Sequence, residues 1–194
     1  MSIGFFLGVA NSYAPTHTAE AARLVGCINN ALASNGHPKY VDATPHLPEH
    51  GMGRCSLDHF GAGGLSRFFA FARQHDVHRA FEASGERDVF LPIRFDAPLL
   101  VPLRKSNWFP RQAKVGSLYA MLDALFELAP LLGIPIENND VNELVAALID
   151  EMQPLHANDD ADAIMLEDLR MAWLLHHEAA NLAIEYNVAL ALGP

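Results

Sequence analysis

Basic side chains are scarce in this sequence. Across 194 residues, 13 Lys+Arg stand against 23 Asp+Glu, for a formal net charge of −10. Binding to phosphate relies on clustered Lys and Arg, so the balance sets aside nucleic acid and anionic membrane as partners. Solubility alone is the simpler account of such an excess; a protein that mimics or blocks a basic partner would profit from it as well. Cysteine is nearly absent, with Cys27 and Cys55 the only two, which excludes a disulfide framework in a chain this long.

Catalytic signatures are missing as well. Ser66 lies in GLSRF and Ser117 in VGSLY, neither of them a G-x-S-x-G elbow. There is no GK[ST] or GxGxxG for phosphates, and no CxxC or HExxH for zinc. No apolar run reaches membrane-spanning length. The first apolar run has no Lys or Arg ahead of it, since the first basic residue is Arg23, so it reads as a strand rather than an export signal. A cytoplasmic protein is expected. Internal repeats and low-complexity segments are also lacking.

What is present is a core, with hydrophobic residues at 51%. The organising stretch is residues 88–132. Residues 89–95 and 99–103 are rich in Leu, Ile, Val and Phe and flank Asp96-Ala97-Pro98, the pattern of two strands and a turn. Pro92 and Pro102 remove ladder donors and place that pair at or near a sheet edge. Ile3, Phe5, Leu7 and Val9 alternate with Gly4, Phe6 and Gly8 as a further strand, and residues 39–43 form a weaker candidate.

Helical stripes are clearer. Ala21, Leu24, Val25, Ile28 and Leu32 fall on one side, ending at Gly36 in the position of a C-cap. Leu65, Phe68, Phe69 and Ala72 make another, broken near 74–76 and followed by a short helix. A helix from Val115 carries Leu118, Met121, Leu122, Leu125, Phe126 and Leu128 opposite Asp123 and Glu127, and ends before Pro130. Val141, Leu144, Val145, Leu148, Ile149 and Met152 form the next, behind Asp140 and Glu143 in capping-box spacing. The last runs over 161–190 with a narrow polar face of Glu167, Arg170, His177, Glu178, Asn181 and Glu185, so it should be mostly enclosed, by the domain or by a partner.

The expected fold is therefore α+β: a small mixed or antiparallel sheet of about four strands packed by five or six helices, with an all-helical carboxy-terminal half. One domain is expected over 1–194. Its mixed α/β part covers 1–105, with a His/Gly/Pro-rich loop at 44–64, and its helical part covers 106–194.

Four groups in that loop, His46, His50, Cys55 and His59, are of ligand type for zinc, but their spacing matches no established site. Neither a metal nor any other cofactor is expected. Gly61-Ala62-Gly63-Gly64 before Arg67 could face an anion, against the simpler reading as a hinge. Trp108 and Arg111 lie in the one basic and aromatic cluster and are candidate binding anchors. Asp159, Asp160 and Asp162 form an acidic linker that a partner could recognise. His176, in the middle of an apolar face, is expected in the core.

These features support a non-catalytic, acidic protein-binding module. Its finer form is an inhibitor or immunity protein that neutralises a basic partner such as a toxin, with a homodimer through the last helix as a further possibility. The alternative is a small metal-dependent hydrolase using the histidines of 46–59.

Overall fold

The computed structural model describes residues 4–9, 18–41, 62–85, 88–103, 112–135 and 161–193. Five strands, β1 (Gly4–Leu7), β2 (Val89–Leu91), β3 (Leu99–Pro102), β4 (Gln112–Ser117) and β5 (Leu190–Gly193), form one sheet in the order β1-β5-β2-β4-β3. The only parallel pair among them is β2 with β4, Val89 opposite Val115; the other neighbours are antiparallel. Four α-helices are described: α1 (Thr18–Ser34), α2 (Ala62–Gln74), α3 (Leu118–Leu128) and α4 (Ala161–Glu185).

Strand alternation sorts side chains into two cores. Phe5, Leu7, Phe90, Leu190 and Leu192 face α2, α3 and α4. Val89, Leu91, Val115, Ala189 and Ala191 face α1, whose Ala21, Leu24, Ile28 and Leu32 are the stripe read from the sequence. Each large apolar side chain withdrawn from water contributes about 1.5–3 kcal/mol, so both layers are held mainly by burial. Gly116 is required where β4 pairs with β2: a Cβ there would run into the buried Phe90 ring.

Helix ends repeat one device. Gly36, Asp76, Gly133 and Asn187 all have positive φ, and the following amide closes back on a carbonyl five residues earlier, as in Val188 N–H to Ala183 at 2.9 Å. This is the Schellman closure, and Asn and Asp tolerate its left-handed residue better than other side chains with a Cβ.

Several expectations are corrected. The carboxy-terminal half is not all-helical, because β4 and β5 both belong to it. Asn187 ends α4 early, and the next residues enter the sheet between β1 and β2. Four helices rather than five or six are described, and the one expected at 141–152 lies outside the described residues. β2 and β3 are not a hairpin, because β4 separates them. Pro102 does sit on the edge strand, whereas β2 is central and stops at Leu91, just before Pro92 would remove a ladder donor. Residues 39–41 are not a strand: the Asn29 side chain takes the amide of Tyr40 at 2.8 Å and donates to its carbonyl at 2.9 Å. Tyr40 in turn accepts the Ala189 amide on its hydroxyl at 2.8 Å, fixing α1 to the start of β5.

Candidate functional site

Strand β4 passes into α3 without a loop. Ser117 is still extended, and its hydroxyl accepts the Ala120 amide at 3.2 Å as the helix N-cap. The helix therefore starts three residues later than the stripe from Val115 implied. Leu118, Met121, Leu122, Leu125 and Leu128 turn inward, which leaves Asp123 and Glu127 outward, four residues or about 6 Å apart along the axis. Phe126, expected on the apolar side, is 39% exposed and meets the edge of His177.

Behind this acidic face stands α4. Trp173 is 1% exposed and donates its Nε1–H to the Leu125 carbonyl at 2.6 Å, tying α4 to the last turn of α3. His177 stacks on Trp173 with ring centroids 4.7 Å apart. It is buried rather than on the polar face, and burial lowers its pKa. His176 is buried as expected, packed among Phe5, Phe68, Phe69 and Phe81. Nδ1 of His176 lies 2.7 Å from the Ala172 carbonyl, Nε2 has no hydrogen-bond partner, and burial pushes its pKa down to about 4. The imidazole is neutral at physiological pH and belongs to the core.

The described carboxylates divide by the work they do. Asp88 is structural, since its two oxygens accept the amides of Lys114 at 2.6 Å and Gly85 at 2.8 Å. Glu82 pairs with Lys114 at 3.1 Å, and Asp168 pairs with Arg67. Arg67, weighed for an anion site behind Gly61-Ala62-Gly63-Gly64, is engaged by a carboxylate, and Gly63 and Gly64 belong to the first turn of α2. Asp123 meets Arg94 at 2.7 Å, but both side chains are more than half exposed, so the pair contributes about 1 kcal/mol or less. Glu127 is exposed and has no ion pair among the described residues. Arg170 donates its Nε–H to the Leu132 carbonyl at 2.8 Å.

Of the residues singled out from the sequence, His46, His50, Cys55, His59, Trp108, Arg111, Asp159 and Asp160 lie outside the described residues. Asp162 falls in the first turn of α4, and its side chain is likewise outside them. Among the described residues no group of three or more His, Cys, Asp or Glu is arranged to hold a metal ion, and no helix is long and apolar enough to cross a membrane.

A signal missed in the residue-by-residue reading is the distribution of charge. Residues 115–169 contain 12 Asp+Glu and no Lys or Arg. Asp123 and Glu127 open this stretch, Glu167 and Asp168 close it, and Arg170 is the first cation after it. A count in a sliding window finds it without any structure.

A family described as "Putative DNA-mimic protein" matches residues 81–192, more than half of the chain, and the chain belongs to that family. No curated protein and no solved structure matches. The matched residues hold 18 of the 23 Asp+Glu and 7 of the 13 Lys+Arg; the rest of the chain holds 5 and 6. The whole acidic excess thus lies in the family's own segment. The function is of an acidic, protein-binding kind.

This membership corrects the expected partners. Nucleic acid was set aside because carboxylates repel phosphate, but the same repelling surface is what a mimic of DNA consists of. Nucleic-acid recognition therefore bears on this chain, with the chain in the place of the acid. The homodimer through the last helix loses its ground over most of α4, because α2, α3, β1 and β5 of the same chain pack on it; Ile164, Met165 and Leu166 near its start stay exposed.

Proposed function

We propose that this protein binds a DNA-binding protein at the surface that otherwise contacts the phosphate backbone, and so competes with DNA. Its carboxylates take the positions of phosphates opposite the partner's Lys and Arg. The carrying observation is the coincidence of the family segment with the acidic excess, above all the 55-residue stretch without a single Lys or Arg. Outward carboxylates on a helix one turn apart, as with Asp123 and Glu127, give a fixed row of negative charge. The core behind them holds that row rigid, which spares part of the ordering cost of binding. Asp159, Asp160 and Asp162 extend the same negative stretch in sequence, and Trp108 and Arg111 are candidate anchors at its other end. The finer form of the proposal is an inhibitor or immunity protein directed at a DNA-acting toxin.

The experiment is a displacement assay. Tagged protein is used at low salt to capture partners, which are identified by mass spectrometry, and a captured partner is bound to labelled duplex DNA. Added protein should release the duplex competitively, with an apparent affinity that falls steeply as salt rises. A ternary complex in which the duplex stays bound at unchanged affinity would contradict the proposal.

A further inference from the structure

Apart from the acidic surface, the chain has a cleft of opposite character. It has a volume of about 420 Å³ and is lined by Phe69 and Arg73 of α2, His78 and Phe81 of the 3-10 turn His78–Phe81, Glu82, Ser84, and Lys114 of β4. Its size falls within the range of small-molecule sites. Three nitrogenous side chains converge here in a protein whose net charge is −10.

We propose that this cleft binds a small planar anion of nucleoside-monophosphate size. The half-buried Phe69 ring gives an apolar wall against which a flat ring packs, backed by Phe81 of the core, with centroids 6.2 Å apart and a tilt of 38°. The Arg73 side chain is exposed and has no ion pair or hydrogen bond among the described residues, so its guanidinium is available to an anionic group. Lys114 is already held by Glu82 at 3.1 Å, which fixes its ammonium at the rim and leaves donors over. Nδ1 of His78 is shielded from solvent and has no hydrogen-bond partner among the described residues, so it is the remainder of the half-buried ring that borders the cleft. Ser84 donates its hydroxyl to the Phe81 carbonyl at 2.6 Å, so toward the cleft it accepts, as Glu82 does. These acceptors suit hydroxyl or amino groups on the ligand. A bare anion satisfies the cations and leaves the aromatic wall and the acceptors unused.

The test uses the full chain without any partner, so its outcome is separate from that of the DNA-mimic reading. Isothermal titration is run with AMP, inorganic phosphate and adenosine, on the native protein and on Arg73→Gln and Arg73→Glu. Arg73 is exposed, and unchanged melting curves confirm that the variants fold. The expected result is saturable AMP binding, at least tenfold tighter than either phosphate or adenosine. It should weaken about tenfold in Arg73→Gln and be abolished in Arg73→Glu. A Lys114→Gln variant should weaken AMP binding as well. Absence of AMP binding, equal binding of AMP and phosphate, or AMP binding indifferent to both Arg73 variants would each overturn the proposal.

Discussion

Helices α2 and α3 lie on the same face of the sheet and pack on the same helix, α4, yet their outward chemistry is opposite. Residues 62–85 carry Arg67, Arg73 and Arg79 against Asp76 and Glu82; residues 115–135 carry Asp123 and Glu127 with no cation. Inward they are alike: Leu65, Phe68 and Ala72 from one, Leu118, Met121, Leu122, Leu125 and Leu128 from the other, all buried. The comparison separates two constraints on one core. Burial decides which residues hold α2 and α3 to α4, and it leaves their outer faces open to carry different signs of charge. Charge on this protein is therefore assigned by region, which a net value of −10 conceals.

The largest expected effect breaks the α3 side of the comparison from within. Trp173→Ala removes a fully buried ring and the hydrogen bond to Leu125, and should cost about 3–5 kcal/mol in urea unfolding. If Trp173 were merely a cover over the core, the loss would be well under that. Next is Gly116→Ala, where the new methyl meets the Phe90 ring. Overpacking of this kind costs about 1–3 kcal/mol, read as a lower unfolding midpoint at unchanged slope.

The α2 side is sharpened by pH. His176 is neutral when folded, with its pKa lowered to about 4, and takes up a proton near 6.5 once unfolded. Below pH 6.5 the unfolded state thus binds more protons, so stability falls as pH drops from 6.5 toward 4. Between pH 7 and 5 this one group should cost on the order of 2 kcal/mol. His176→Leu should flatten that decline while leaving stability at pH 7 within about 1.5 kcal/mol of the native value. A decline of the same size in the variant would assign the acid sensitivity to other groups.

The smallest effect on stability is expected at the outer face of α3. Asp123→Asn with Glu127→Gln should change unfolding free energy by about 1 kcal/mol or less, because the one ion pair involved is exposed. The same double substitution should nonetheless weaken binding to a captured DNA-binding partner. An equal weakening on neutralising Glu20 and Asp76, outside the family segment, would erase the regional distinction.

The helices were legible because their apolar stripes repeat over three or more turns: the buried residues of α1 and α3 are those of the stripe, except that Val25 and Phe126 are not buried and Ala124, outside the stripe, is. The sheet was not. Ala189, Leu190, Ala191 and Leu192 continue the composition of α4, and only the left-handed turn at Asn187 marks where helix becomes strand. Strand order was beyond reach for another reason. Adjacent strands in sequence suggested a hairpin, whereas β2 pairs with a strand more than twenty residues on, and that partner is chosen by two separate cores. The buried state of His177 depended on stacking with Trp173 one turn away, a contact that the helical projection left on the polar side. The acidic stretch was legible by counting alone, since it involves no tertiary pairing.

The most direct test of the central claim is the salt dependence of partner binding. Affinity is measured across a salt series for the native protein, for the Asp123→Asn/Glu127→Gln variant, and for the Glu20→Gln/Asp76→Asn variant. If carboxylates of the family segment stand in for phosphates, the slope against log salt should become shallower only for the pair on α3. A slope unchanged there, or reduced equally by both variants, would contradict it.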